Sequence, residues 1–149
     1  MTAAPARAEG CAGGSAGRSA VVVFCGRTEL PWLRLLKPGF RHCFIIVDGG
    51  GGAWVSLNPM SHRTEVAVLA HGPGLGSGGG WTAESLVRWF QSQGFRAVAC
   101  RTCRIEAVPR KAAPWLPYTC VEAVKRVLGL RRRLILTPWR LYSHIIKNT

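Results

Sequence analysis

Two short segments, far apart in the chain, constrain the fold of this sequence more than any other feature. The first is PGFRHCFIIV (38–47), whose apolar run predicts a β-strand with His42 at its start. The second is PYTCVE (117–122), which predicts the start of an α-helix with Cys120 in its first turn. A fold in which the start of this strand lies beside the start of this helix places the His42 imidazole next to the Cys120 thiol. The histidine precedes the cysteine in the chain.

The helix start matches the S/T-x-x-E capping box, with Thr119 as N-cap and Glu122 at the third helical position. We expect the Thr119 hydroxyl to accept from the Glu122 N–H, and the Glu122 carboxylate to accept from the Thr119 N–H. Cys120 is then the first helical residue, where free N–H groups and the helix dipole lower a thiol pKa below its ordinary value of about 8.5. The alternative is a small core cysteine at a helix start, because free cysteine is usually buried.

His42 and Cys43 point to opposite faces of the predicted strand, because side chains alternate along a strand. This disfavours Cys43 as the nucleophile partner of His42. A hairpin centred on Gly50 pairs His42 with Asn58, so Asn58 is expected to hold the second ring nitrogen of the imidazole. His62, in the turn 60–63, is the other candidate for this orienting role. The alternative interpretation is a half-exposed histidine at a strand end and an ordinary turn asparagine.

The rest of the chain predicts an α+β fold with a small, mostly antiparallel sheet packed with helices. Strands are expected over 20–25, 42–47, 53–58 and 65–69 and within 95–108, and helices over 29–37, 83–92, 120–128 and 138–146. Residues 1–19 form a low-complexity segment that is expected to be a disordered tail. Residues 20–149 are expected to form a single domain, with a flexible glycine-rich loop over 72–80.

The charge of this chain is strongly positive: +13 over 149 residues, with no acidic residue after Glu122. A basic C-terminal face of this kind can bind nucleic acid, anionic lipid or an acidic cell-wall polymer, although charge alone also describes an ordinary solvated surface. Nucleic acid is the less favoured partner, because no helix-turn-helix, zinc-finger or RNA-binding motif is present. The aromatic residues that interleave this segment (Trp115, Trp139 and Tyr142) are expected in the core.

The cysteine spacing and the lack of recognisable targeting segments bear on metal binding and on cellular location. The pair Cys100-x-x-Cys103 lacks the second, similarly spaced pair that a zinc ribbon needs, so no structural metal or cofactor is expected. No run approaches the roughly 18 apolar residues of a membrane-spanning helix, and the N-terminus lacks the form of a signal peptide. We expect a cytoplasmic protein, and leave export without a signal peptide open.

Taken in order, the segments GFRHCFIIV, WVSLNP, YTCVEAVKRVLGL and LTPWRLYSHI resemble the papain-like NlpC-type cysteine peptidase and acyltransferase superfamily in its circularly permuted branch. Lecithin:retinol acyltransferase belongs to that branch, and histidine precedes cysteine there too. More closely, the sequence resembles small bacterial and prophage-associated proteins of unassigned role, which have a similar histidine strand and a similar TCVE helix. The resemblance spans about residues 20–146.

This resemblance implies a thiol hydrolase or acyltransferase that acts on an amide or ester carbonyl, such as that of a cell-wall peptide. Cys120 would be the nucleophile, His42 the general base and Asn58 the polar orienting residue. In the permuted acyltransferases the third group is often a histidine, so Asn58 departs from some relatives. The competing hypothesis is a catalytically inert papain-like module with a role in binding or in a phage-related assembly.

Overall fold

The structure, a computed structural model, describes residues 17–28, 30–69, 80–103 and 118–149. The described strands are β1 (Ser19–Cys25), β2 (His42–Gly50), β3 (Ala53–Pro59), β4 (Thr64–Leu69) and β5 (Arg96–Arg101). The described α-helices are α1 (Ala83–Ser92), α2 (Cys120–Leu128) and α3 (Pro138–Asn148). The strands form one antiparallel sheet in the order β4-β3-β2-β1-β5. The α+β class and the antiparallel sheet agree with the prediction from sequence.

The β1 strand lies between β2 and β5, and both of its faces are buried. Val21 and Val23 point toward α1, whereas Val22 and Phe24 point toward α2 and α3. A strand buried on both sides has no need for polar alternation, and this explains its unbroken apolar run. The sheet is therefore covered by helices on both faces, and β2, which carries His42, is the central strand of the five.

The hairpin between β2 and β3 turns one residue later than the sequence analysis places it. Gly51 and Gly52 form the two-residue turn, and Gly50, Gly51 and Gly52 all have positive φ angles, which residues other than glycine rarely adopt. Ile46 consequently pairs with Ser56, so the expected register, which pairs His42 with Asn58, is wrong by two residues. The register also shifts by one between Asp48 and Gly50, which marks a bulge there.

The helix expected over 29–37 is instead a short 3-10 helix, Pro31–Leu35. No residue of this segment is buried, so no packed apolar face stabilises a longer α-helix. Thr28 does not cap it: the Thr28 hydroxyl accepts from the N–H of Leu30 at 3.2 Å and forms a local turn.

Most other predicted elements agree with the structure within about two residues at their ends, but β2 continues to Gly50, three residues beyond its expected end. Of the range 95–108, β5 occupies Arg96–Arg101, and residues 104–108 lie outside the described part of the chain. Strand β1 begins at Ser19, one residue inside the expected tail; residues 1–16 lie outside the described part of the chain. The expected loop over 72–80, except Gly80, and the predicted core position of Trp115 also lie outside it. In the described ranges, no helix has the length and apolar character needed to cross a bilayer.

Candidate active site

Helix α2 begins at Cys120, and the residue before it caps the helix. The Thr119 side-chain oxygen accepts a hydrogen bond from the backbone N–H of Glu122 at 3.2 Å. This cap fixes the backbone at the first turn and leaves Cys120 among the free N–H groups of the helix start. The apolar side chains of α2 (Val121, Val124 and Leu128) bury the helix against the sheet and so fix the position of Cys120.

The second half of the expected capping box is not formed, because the carboxylate of Glu122 turns along the helix instead. It accepts hydrogen bonds from Lys125 Nζ at 2.9 Å and from Arg126 Nε at 3.1 Å. Lys125 is only 5% exposed, and a buried ammonium group without an anion beside it is strongly destabilising. The Glu122 carboxylate therefore pairs with Lys125 and not with the Thr119 N–H. Glu122 therefore stabilises the helix that carries Cys120 through a partly buried ion pair rather than through a reciprocal cap.

The thiol of Cys120 lies at the start of β2, where it meets two residues of that strand. The ring of His42 and the side chain of Cys43 are both within hydrogen-bonding reach of the sulfur, and the backbone N–H of Cys43 also points to it. Cys43 is fully buried in the core cluster against which Cys120 packs. The structure thus brings the predicted pair, His42 and Cys120, together.

These contacts lower the pKa of Cys120 to about 5. The largest cause is the hydrogen bond that the Cys43 thiol donates to the Cys120 sulfur. Burial opposes ionisation, but the hydrogen bond from His42, its positive charge and the Cys43 N–H together outweigh burial. The helix dipole acts in the same direction. Cys120 is therefore a thiolate at neutral pH, paired with the imidazole of His42.

The imidazole of His42 is oriented by Asn58. His42 Nε2 lies 2.7 Å from Asn58 Oδ1, so Nε2 carries the proton and donates it. The orientation of the Asn58 amide is fixed in turn, since its Nδ2 donates to Glu65 Oε2 at 3.2 Å. With Nε2 engaged in this way, Nδ1 is the ring nitrogen left for Cys120.

Glu65 extends this chain of contacts across the sheet. It is the direct cross-strand partner of Asn58 on β4, and its other carboxylate oxygen accepts from Arg63 at 2.6 Å. The hydrogen bond from Arg63 is the main reason that the pKa of Glu65 is lowered. Glu65 therefore stays ionised and remains an acceptor for the Asn58 amide. Glu65 was not predicted as a site residue, because its position opposite Asn58 depends on the register between β3 and β4.

Asn58 reaches His42 although the two residues are not direct partners in the register. The pairing differs from the expected one by two residues, and side chains alternate with a period of two, so Asn58 stays on the same face as His42. The contact is a diagonal one, which lies within reach of an imidazole and an amide. The alternative orienting residue, His62, lies in the exposed turn, with its Nδ1 3.5 Å from Ser61 Oγ.

Cys43 contributes to the site in a way that strand alternation did not reveal. Helix α2 packs on the Cys43 face of the sheet, whereas Phe44 and Ile46 lie on the α1 face. Cys120 nevertheless contacts both His42 and Cys43, because its thiol lies at the start of β2, beside the first two residues of that strand. Cys43 supplies a hydrogen-bond donor to the Cys120 sulfur.

The pKa values of the other described free thiols move in the opposite direction. Burial raises the pKa of Cys25 and Cys43, and raises that of Cys100 to about 12. We therefore expect iodoacetamide at pH 6 to modify Cys120 at least about 100-fold faster than these three residues in the folded protein. Peptide mapping by mass spectrometry measures the four rates, and equal rates would contradict the lowered pKa of Cys120.

The described residues contain no group of three histidine, cysteine, aspartate or glutamate side chains placed to hold a metal ion. The site itself contains the thiol of Cys120, the imidazole of His42 and the amide of Asn58. These groups form a nucleophile, a base in contact with it and a group that orients the base.

Comparison with known proteins adds no assignment: no protein-family model, curated protein or solved structure matches this chain.

Proposed function

We propose that this protein is a thiol-dependent hydrolase or acyltransferase of the papain-like NlpC type, acting on an amide or ester carbonyl. The observation that carries the proposal is the thiol of Cys120, with a pKa of about 5, at a helix start and in contact with His42. A structural cysteine in an apolar core has its pKa raised instead, as Cys100 does. The hydrogen bond from His42 to Asn58 supports the proposal, because it holds the imidazole in one tautomer.

In the proposed reaction, the thiolate of Cys120 attacks the substrate carbonyl carbon and forms a tetrahedral intermediate. The backbone N–H of Cys120, one of the free donors of the helix start, can stabilise its oxyanion. His42 then transfers the proton on Nδ1 to the departing nitrogen or oxygen, and a thioester remains on Cys120. His42 next takes a proton from water or from a second acceptor, which attacks the thioester. This step releases the acyl product and regenerates the thiolate.

The proposal is tested by trapping the acyl-enzyme. The protein is mixed with a p-nitrophenyl ester or a thioester at pH 7, quenched in acid and analysed by intact-mass spectrometry. We expect one acyl group on Cys120, and slow release of the acid on further incubation. Cys120→Ala should abolish the adduct, whereas Cys100→Ala, which removes a thiol with a raised pKa, should leave it unchanged.

The inert-module alternative gives a different result in the same experiment. An inert module would show alkylation of Cys120 by iodoacetamide but no acyl adduct with any ester or thioester. That outcome would overturn the proposed activity and leave the thiol–imidazole pair as a structural relic. Turnover of cell-wall peptide fragments, measured by release of new amino groups, would extend the proposal to its substrate.

Replacing Asn58 is expected to have a moderate effect on the rate of acylation. Asn58→Ala removes the acceptor of the His42 Nε2–H, so the ring is free to rotate and to change tautomer. We expect the rate of acylation to fall about 10- to 100-fold with the fold retained. Asn58→Gln should fail to restore the rate, because its amide is one methylene farther from the backbone. Glu65→Gln is the matched control: it keeps an acceptor for the Asn58 amide and should cost less than about threefold.

A further inference from the structure

A cationic cleft lies at the other end of α2, about 12 Å along the helix from Cys120. It is formed by the segment that follows α2 and by one side of α3, and its volume is about 740 Å³. The residues that we use to define the cleft are Arg131, Arg132, Arg133, Leu134, Arg140 and Lys147. The thiol site does not use any of them.

Four of the cations that line the cleft are not paired with an acidic group of the described part of the chain. These cations are Arg132, Arg133, Arg140 and Lys147. The sequence from Ala123 to Thr149 contains no acidic residue at all. Burial, followed by the charge of Arg132, lowers the pKa of His144, which also lines the cleft. Such a surface attracts an anionic partner from solution.

Two leucines beside these cations are unusually exposed. Leu134, in the cleft, is 79% exposed, and Leu136 is 54% exposed, whereas Ile135 between them is buried. Large aliphatic side chains that project from a cationic surface match the interface of a bilayer, where the side chains enter the acyl region and the cations meet lipid phosphates. A nucleic acid has no comparable apolar region in which exposed leucine side chains could be buried.

The aromatic side chains of α3 also disfavour a nucleic acid at this surface. Tyr142 packs edge-on against Phe24 at 5.4 Å, and Trp139 contacts Phe40 at 4.8 Å between ring centroids. Tyr142 packs against the core, as expected from sequence, whereas Trp139, which was expected there too, is 37% exposed. Lys37 Nζ lies 3.1 Å from the centroid of the Trp139 ring and covers it, so neither ring is free to stack on bases. The residues that project into solvent from the cleft include Leu134 and the arginines at 132, 133 and 140.

We propose that the cationic cleft and its projecting leucines form a docking surface for anionic phospholipid bilayers. Arg132, Arg133, Arg140 and Lys147 bind lipid phosphates, and Leu134 and Leu136 insert among the acyl chains. The protein lies on the membrane surface by this face. The surface does not depend on the activity of Cys120, so its test is independent of the function proposed above.

The test is co-sedimentation of the full chain with phosphatidylcholine vesicles that contain either no anionic lipid or about 30% phosphatidylglycerol. We expect binding only to the anionic vesicles. Arg132→Gln/Arg133→Gln should weaken it roughly 30-fold, since each cation near the surface contributes a factor of about five. Arg34→Gln/Arg88→Gln removes the same charge from two exposed arginines outside the cleft and should cost less than about threefold.

Leucine variants separate insertion from charge attraction. Leu134→Ser should weaken vesicle binding about fivefold or more, whereas Leu35→Ser, at a residue that is 92% exposed outside the cleft, should not. Circular dichroism checks that each variant is folded. Equal binding to neutral and anionic vesicles, or equal loss in the cleft and control variants, would overturn the proposal. Tighter binding to a 20-base-pair duplex than to vesicles, unaffected by Leu134→Ser, would replace it with nucleic-acid binding.

Discussion

We expect His42→Ala to retain the fold and to lose about 10²- to 10⁴-fold in the rate at which an ester acylates Cys120. The substitution removes a half-buried ring whose two nitrogens serve Asn58 and the thiol, so the reaction loses its proton donor and the thiolate loses its counter-ion. The rate is measured under single-turnover conditions by intact-mass spectrometry. Circular dichroism of both proteins establishes that the fold is retained.

The pH dependence of alkylation gives a second measure of the same pair. In the unaltered protein the rate should rise with a midpoint near pH 5, the pKa of the Cys120 thiol. His42→Ala should move this midpoint upward, because the imidazole no longer stabilises the anion; the hydrogen bond from Cys43 remains, so the midpoint should stay below about 8.5. At pH 6 the variant should therefore react roughly 10- to 100-fold more slowly.

His62→Ala is the matched control, since it removes an exposed imidazole from the turn between β3 and β4. It should change the acylation rate less than about twofold. A loss in His62→Ala comparable to that in His42→Ala would contradict the orienting role of Asn58 and assign it to His62. An unchanged midpoint in His42→Ala would contradict the thiolate–imidazolium pair itself.

The second large effect is on stability: we expect Glu122→Ala to lower the free energy of unfolding by about 3 kcal/mol. The Glu122 carboxylate is the ion-pair partner of Lys125, whose side chain is 6% exposed, and the substitution leaves this ammonium buried without an anion. Thr119→Ala removes only the helix cap and should cost about 1 kcal/mol. Urea unfolding followed by circular dichroism measures both values.

The double variant Glu122→Ala/Lys125→Met distinguishes the ion pair from other roles of Glu122. Replacing the buried lysine with an apolar side chain should restore most of the loss, because no unpaired charge remains in the core. A double variant as unstable as Glu122→Ala alone would contradict this explanation. The carboxylate is already neutralised by Lys125 and Arg126, so Cys120 in the folded single variant should react at pH 6 at least as fast as in the unaltered protein.

The ion pair also predicts sensitivity to acid. Burial alone would raise the pKa of Glu122, but the hydrogen bonds from Lys125 and Arg126 outweigh burial and lower it below 4.5. The stabilisation from this group is therefore complete above about pH 4.5 and is lost as the pH falls through the lower pKa of the folded state. Glu122→Ala should lack this part of the acid dependence, which unfolding curves between pH 3 and 6 measure.

Local signals in the sequence were sufficient for most elements of the fold. The threonines at 82, 119 and 137 accept hydrogen bonds at the starts of α1, α2 and α3, because a hydroxyl before an amphipathic run satisfies the first N–H groups. The length of β1 follows from its apolar run. Glycine composition alone did not fix the register of the β2–β3 hairpin, because several glycines permit the turn and the bulge at Asp48 adds a residue.

The candidate site was predictable in part. His42, Cys120 and Asn58 could be selected because a helix start favours a thiolate and because strand alternation keeps Asn58 on the His42 face after a shift of two residues. The contributions of Cys43 and Glu65 could not be selected, because they depend on which face of the sheet α2 covers and on the register of β4. The partner of Glu122 was missed because the burial of Lys125 is a property of the packed structure.

The opposite pKa shifts of the described free cysteines give the chain an internal reporter of its own unfolding. In most proteins unfolding makes a thiol more reactive, but here it would deactivate Cys120, whose low pKa depends on contacts with His42 and Cys43 from another part of the chain. The same event would expose Cys25, Cys43 and Cys100, which burial holds as thiols. In pulse labelling at increasing urea, the fraction of Cys120 modified at pH 6 would thus measure the population of native molecules. The fraction of Cys25, Cys43 and Cys100 modified at higher pH would measure the population of unfolded molecules.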